Sequence, residues 1–273
     1  MYRHDGHTTV WRLIDTGSHS GKENMAIDEA LFRCFDPASS QPVLRLYGWQ
    51  PVALSLGRFQ KASDDLELER CAADDLTVVR RITGGGAIYH ADELTYSLVC
   101  SPEQIPAAAS VKESFRVLTS FLLDFYRVLG LQADYAVDSA PAGSRLGQRT
   151  PLCFAGQERY DIMVSGRKIG GNAQRRSRQV IFQHGSIPLA DRVADGLVYL
   201  KQQPEQMAVT SLRREGIAMD EVSLKFLLLQ QFAEQLGVLL VSDGLTQQET
   251  ALAAQLAVTT YQNQQWNLKG IAV

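Results

Sequence analysis

The chain has 273 residues, is about 45% hydrophobic, and carries 27 basic against 30 acidic residues for a formal net charge of −3. That length and balance suit a large buried core, exclude disordered and fibrous classes, and give no basic excess of the kind that marks nucleic-acid binding. No stretch approaches the roughly 20 apolar residues of a membrane span, residues 1–10 lack an apolar export segment, and four scattered cysteines with no C-x-x-C pair read as reduced cytoplasmic thiols rather than a zinc or disulfide frame.

The spacing of Met25, Ile27, Ala30, Leu31 and Cys34 predicts a helix over 22–35, with Ser20 as its cap. Two strand-like runs follow at 42–49 and 52–59, broken by Gln50-Pro51, then a short helix at 66–73. The β-branched run 77–82 feeds directly into Gly84-Gly85-Gly86, and 94–100 alternates as a further strand. A long helix is expected over 110–129, opened by Ser110 and Glu113 in a capping-box pattern and stopped by Gly130. A hairpin follows, with 160–164 going out, Ser165-Gly166 turning and 167–174 returning. Residues 180–189 read as a strand, and 222–236 and 246–261 as two amphipathic helices. Short strands interleaved with few helices predict a mixed α/β sheet, not a strict βαβ series. The division expected is a main domain over 1–215 and a helical extension over 216–273 packed on it.

Three segments carry candidate chemistry. In Arg80-Arg81-Ile82-Thr83-Gly84-Gly85-Gly86-Ala87-Ile88-Tyr89-His90, three glycines leave the backbone open to close approach by a ligand, and two arginines supply charge for a carboxylate or phosphate. No Gly-Lys-Ser/Thr follows and no G-x-G-x-x-G occurs, so neither phosphate-loop pattern applies; the plain alternative is a tight connection between strands. In Gly166-Arg167-Lys168-Ile169-Gly170-Gly171-Asn172-Ala173, a lysine on a glycine-rich strand suits polarisation of a carbonyl, or is simply an exposed hairpin lysine. Cys153, between Leu152 and Phe154, is either an acyl acceptor or a small buried hydrophobe. His90 and His184 are candidate bases or oriented hydrogen bonders, whereas His4, His7 and His19 look incidental. No cluster has metal-ligand spacing.

Together with Arg45-Leu46-Tyr47-Gly48-Trp49 and Gln183-His184-Gly185-Ser186, these segments, in this order, resemble the lipoate-protein ligase and octanoyltransferase family over most of the chain. The resemblance implies a fold of mixed, largely antiparallel sheets flanked by helices, shared with biotin protein ligases. It implies an acyl tunnel beside Gly84, Gly85 and Gly86, with Arg80, Arg81, His90, Gly170, Gly171, Ala173 and His184 around the substrate and Lys168 on the acyl carbonyl. Two chemistries occur in such a family. A transferase moves octanoyl from acyl carrier protein through a cysteine, here Cys153, to a lysine of a lipoyl domain of a 2-oxoacid dehydrogenase or of the glycine cleavage H protein, without a cofactor. A ligase activates free lipoate or octanoate with ATP and magnesium and needs no cysteine. Cys153 and His90-Ala91-Asp92-Glu93-Leu94-Thr95-Tyr96-Ser97 look like the transferase branch, and Gly86, where that branch often carries arginine, looks like the ligases. A non-catalytic acyl- or carrier-binding protein on the same fold is the third reading. Arg80, Arg81, Arg175 and Arg176 are also expected to steer acidic carrier and lipoyl domains.

Overall fold

A computed structural model describes residues 8–106, 110–139, 158–203 and 207–271. Strand β1 (Val10–His19) leads into helix α1 (Gly21–Cys34), whose cap is the expected Ser20, closed reciprocally by Glu23. β2 (Val43–Trp49) then lies parallel to β1. β3 (Ala53–Leu56), α2 (Ala62–Asp65), α3 (Leu68–Ala73), β4 (Thr77–Arg80) and β5 (Ile88–His90) follow, and the three strands form a small sheet in the order β4-β3-β5.

β6 (Glu93–Cys100) returns to the main sheet, antiparallel to β2. α4 (Val111–Val128) starts at Ser110, whose side chain accepts from the Glu113 amide, and ends before Gly130 at φ +83°. β7 (Ala133–Tyr135) and the single turn α5 (Ala136–Ser139) precede a hairpin of β8 (Ile162–Val164) and β9 (Arg167–Lys168). Ser165 and Gly166 turn it at φ +52° and +74°, as a two-residue hairpin loop requires. The return strand does not run unbroken to 174. After Lys168 the chain leaves the hairpin, and β10 (Gly171–Arg176) joins the main sheet beside β11 (Ile181–Pro188). Gly170 permits this change, because a Cβ there would stand 2.6 Å from the Ser186 carbonyl oxygen.

α6 (Glu221–Leu236), β12 (Leu239–Ser242), α7 (Gln247–Leu256) and α8 (Gln264–Lys269) complete the chain. The C-terminal part is more than helical, since β12 pairs in parallel with β1. The main sheet therefore reads β10-β11-β6-β2-β1-β12, antiparallel over its first four strands and parallel over the rest. α4 and α6 cover one face, with Trp11, Phe121, Phe125 and Phe232 in its core. α1, α7 and β4 cover the other, around Met25, Leu31, Tyr47 and Val79. Among the described residues no helix is long and apolar enough to cross a membrane.

Candidate active site

Directly paired residues on neighbouring strands project from the same face. Ala173, His184, Ser97 and Arg45 therefore form one row across β10, β11, β6 and β2, and Gly171, Ser186, Thr95 and Tyr47 form the next. α1 and the small sheet lie over these rows. Between them runs a narrow crevice of about 20 Å³, lined by Tyr47, Trp49, Arg81, Ile88, His90, Thr95, Gly171, Ala173, His184 and Ser186 among others. Of the residues expected at a site, Arg81, His90, Gly171, Ala173 and His184 meet here.

Each histidine is backed by a buried carboxylate. Asp28 of α1 accepts from Arg45 Nη1 at 2.7 Å, Ser97 Oγ at 2.8 Å and Tyr47 Oη at 2.9 Å, and lies 3.7 Å from His184 Nδ1. Burial alone would raise the Asp28 carboxyl, but the Arg45 charge, with His184 and Ser97, holds it below the usual range. Burial outweighs Asp28 at His184 and lowers that imidazole, so it is neutral at pH 7. Its other nitrogen lies 2.7 Å from Thr83 Oγ1, the residue before the glycines. The network thus runs from α1 through the sheet to the glycine loop.

The second network fixes its own proton positions. Arg81 Nη1 donates to Ser55 Oγ at 2.7 Å, and Ser55 Oγ lies 2.6 Å from His90 Nε2. The Ser55 hydroxyl finds its acceptor, among the described residues, by donating to Nε2, which leaves the His90 proton on Nδ1, 2.7 Å from Glu93 Oε1. Glu93 also accepts from Thr95 Oγ1 at 2.5 Å and Ser186 Oγ at 2.6 Å, and Thr95 in turn accepts from Trp49 Nε1 at 2.8 Å. Three donors converge on a group with only acceptors, so Glu93 is ionised. Its desolvation is outweighed by His90, Ser186 and Thr95, and its carboxyl is held below the ordinary value of 4.5. The Trp49 indole stacks on the His90 ring with centroids 3.7 Å apart and planes 9° apart. In this state His90 Nε2 is occupied by Ser55 and Nδ1 by Glu93, the arrangement of an oriented hydrogen bonder, one of the two roles read from the sequence.

The two consecutive arginines part company. Arg81 Nη2 donates to the carbonyls of Gly84 and Gly86 at 3.1 and 2.9 Å and so shapes the loop from inside. Arg80 points the other way and donates to the carbonyls of Gly57, Gln60, Trp266 and Leu268, tying α8 to β4. Burial, with the charges of Arg58 and Arg81, lowers Arg80 to about 10. Both arginines are buried, so the steering surface expected of them is not theirs to form. Arg175 is exposed and lies over the Phe32 ring, and Arg176 donates to Ser114 Oγ. The loop is packed closely from outside: a Cβ on Gly57 would stand 1.9 Å from the Gly85 carbonyl oxygen, and Gly85 itself has φ +95°. A Cβ on Gly84 would meet nothing within 4 Å, so the open side of the loop lies there.

Lys168 is not an exposed hairpin lysine. It is 1% exposed, and its Nζ lies 2.7 Å from Asp161 Oδ2. Burial raises the Asp161 carboxyl further than the Lys168 charge lowers it. Two residues, Ile169 and Gly170, connect Lys168 to the crevice floor at Gly171. Cys153 lies outside the described residues. Cys34, Cys71 and Cys100 line no part of the crevice, and burial raises each thiol, which disfavours the reactive thiolate. Asp28, Ser55, Arg45, Ser97 and Glu93 are the functional neighbours that motif reading did not assign. Arg45, a charge inside an apolar strand, was the available signal.

Comparison with known proteins shows the family and the fold. The family described as lipoyl protein ligase A/B catalytic domain matches residues 20–236. An octanoyltransferase LipM of Brevibacillus brevis is 36% identical, over 95% of this chain and 99% of its own length. LipM of Bacillus subtilis is 34% identical, over 95% and 98%. Among solved structures, a lipoate-protein ligase A bound with ATP superposes with a TM-score of 0.80, covering 97% of this chain and all of the other at 24% identity. A bipartite lipoate protein ligase of Thermoplasma acidophilum gives 0.78 at 22% identity, covering 97% and 98%. The chain belongs to the lipoyl protein ligase A/B catalytic-domain family.

Proposed function

We propose that this chain is a cytoplasmic octanoyltransferase of protein lipoylation, taking octanoyl from acyl carrier protein and delivering it to a lysine of a lipoyl domain or of the glycine cleavage H protein. What supports it is the meeting of Arg81, β10 and both histidine networks at one crevice, with the glycine loop bonded to Arg81 beside it, together with full-length likeness to named octanoyltransferases. The floor grows from Gly171 through Ser186 and Thr95 to Tyr47, small at the β10 edge and aromatic inside, as suits a chain entering from that edge. At about 20 Å³ the crevice is narrow, so entry of an acyl chain requires its walls to move apart.

In the first step the Cys153 thiolate attacks the octanoyl thioester carbonyl, and the carrier thiolate leaves and takes a proton. In the second the neutral acceptor amine attacks the enzyme thioester, the carbon–sulfur bond breaks to give an amide and the Cys153 thiolate, and the proton lost from nitrogen passes to solvent. Lys168 and the backbone amides of Gly85 and Gly86 stabilise the oxyanion in each step. Thioester for thioester is nearly isoenergetic and thioester to amide is downhill, so no cofactor is needed. The ligase reading, with ATP and magnesium, shares the fold of the ATP-bound neighbour and stands second.

Intact-protein mass spectrometry with octanoyl-carrier protein and an unmodified lipoyl domain, without ATP, tests the proposal. An octanoyl adduct on the enzyme that vanishes in Cys153→Ser, with modified acceptor, supports it. Modification only when free octanoate, ATP and magnesium are supplied establishes the ligase.

A further inference from the structure

We propose that the turn carrying Phe59, with Arg58, Lys61 and Lys269 beside it, is the surface on which an acidic face of the acyl carrier protein docks; this rests on the acyl-transfer reading above. Phe59 is 84% exposed, the most exposed of the large apolar side chains among the described residues. The turn that presents it is held firmly. Gln60 N donates to the Gly57 carbonyl at 3.1 Å, and Gln60 Oε1 accepts from Gly57 N at 2.9 Å. From within, Arg80 Nη1 donates to the carbonyls of Gly57, Arg58 and Gln60 at 2.8, 3.2 and 2.7 Å. The backbone on either side of Phe59 is thus fixed, and the ring stands in water at its tip. An aromatic ring presented on a fixed backbone loses little freedom on binding and buries a large apolar area, which makes it an anchor for a protein partner.

The charges beside the ring favour an acidic partner. Arg58 lies over the Trp266 indole and donates to the Gly270 carbonyl at 2.9 Å, which brings Lys269 and the exposed Ile271 to the same turn. Lys61 follows Phe59 by two residues. None of the three cations is in an ion pair among the described residues. Asp64 and Asp65 of α2 stand against them, and Asp65 is already engaged by Gln60 Nε2 at 2.9 Å. A cationic patch around an apolar anchor, on a chain of formal net charge −3, attracts an acidic surface and orients it. The donor is the occupant that the geometry selects. A Cβ on Gly57 would meet the Gly85 carbonyl, and Arg58 N donates to the Thr83 carbonyl at 2.7 Å, so the turn and the glycine loop are one packed unit. Thr83 in turn reaches His184, whose strand neighbour Ala173 lies on β10, the edge from which the chain enters. A partner held on Phe59 therefore stands beside the segment that must move for an acyl chain to pass. The acceptor brings only an amine and needs no such movement. Buried Arg80 takes part indirectly, by bracing the turn.

The test compares two donors, octanoyl-carrier protein and octanoyl-pantetheine, a small thioester of the same acyl group, with a lipoyl domain as acceptor. Phe59→Ala should raise KM for the carrier about tenfold or more, with kcat, transfer from the small thioester and KM for the lipoyl domain unchanged. Lys61→Glu should raise the same KM and flatten the fall of kcat/KM with added salt. Both side chains are exposed, so unfolding midpoints should stay at the wild-type value. Calorimetric titration with the unacylated carrier protein should show binding weakened by the same factor. Unchanged carrier KM and binding in both variants, an equal loss with the small thioester, or a rise in KM for the lipoyl domain in place of the carrier overturns the proposal. A wild-type protein inactive with both thioesters overturns the acyl-transfer reading itself.

Discussion

Glu93→Gln separates an ionised hub from a merely polar one. The carboxylate receives His90 Nδ1 and Thr95 Oγ1 on one oxygen and Ser186 Oγ on the other, and is almost wholly buried. A glutamine of the same shape keeps one carbonyl oxygen and places an NH₂ where the other was. If the carbonyl faces His90 and Thr95, Ser186 meets a donor; if it faces Ser186, two donors are stranded. One buried unsatisfied donor costs about 1–3 kcal/mol, and loss of a hydrogen bond to a charged group adds a comparable amount, so we expect a destabilisation of about 3 kcal/mol. The sign of its pH dependence follows from the lowered Glu93 carboxyl. A depressed folded-state value contributes stability that is present above the unfolded value, near 4.5, and is lost as pH falls through the folded value. The gap between wild type and Glu93→Gln in urea unfolding should therefore be widest near neutrality and shrink below pH 4.5. Nitrogen NMR of His90 should show the Nδ1–H tautomer in wild type. A pH-independent gap, a cost below about 0.5 kcal/mol, or an Nε2–H tautomer would refute the assignment.

Four further outcomes follow from the geometry. Asp28→Asn leaves the fully buried Arg45 guanidinium without its counter-charge and should cost about 3–5 kcal/mol in chemical unfolding. Gly57→Ala pushes a methyl into the Gly85 carbonyl, and because the clashing atoms are backbone the loop must shift; acyl transfer should fall by tenfold or more, on the order of 1.4 kcal/mol of barrier, and stability to unfolding should fall with it. Arg80→Lys keeps the charge but cannot reach carbonyls on both the 57–60 loop and α8; we expect about 2–3 kcal/mol of lost stability and faster proteolysis after residue 256. Lys168→Met should cut kcat/KM by about 10²-fold or more while cooperative unfolding persists, and an unchanged rate would remove Lys168 from the oxyanion.

How much of this was legible in the sequence depends on the range of the signal. Helices α1, α4, α6 and α7 announce themselves because cap and periodicity both lie within one segment, and the Ser165-Gly166 turn is equally local. β1, β5 and β12 are not marked: β1 fully buries only Trp11 and Ile14, β5 has three residues, and β12 is mostly exposed, so no period stands out. The site divides in the same way. Glycine loop, Lys168 and both histidines are visible as motifs, but the partners that orient them come from elsewhere, with Asp28 reaching His184 across 156 positions.

Two anomalies could have been paired. Arg45 interrupts an apolar strand, and Asn24 with Asp28 puts a polar i, i+4 pair on the apolar face of α1. A buried charge demands a partner, so each anomaly predicts the existence of the other, although only the fold brings them to 2.7 Å. The neighbouring Arg80 and Arg81 teach the complementary point. Successive residues of an extended chain face opposite ways, so two adjacent arginines leaving a strand cannot both serve one ligand. The period alone therefore requires one of them to be structural. The carbonyls of α8 select Arg80 for that role, leaving Arg81, at the crevice, to hold the glycine loop by the carbonyls of Gly84 and Gly86.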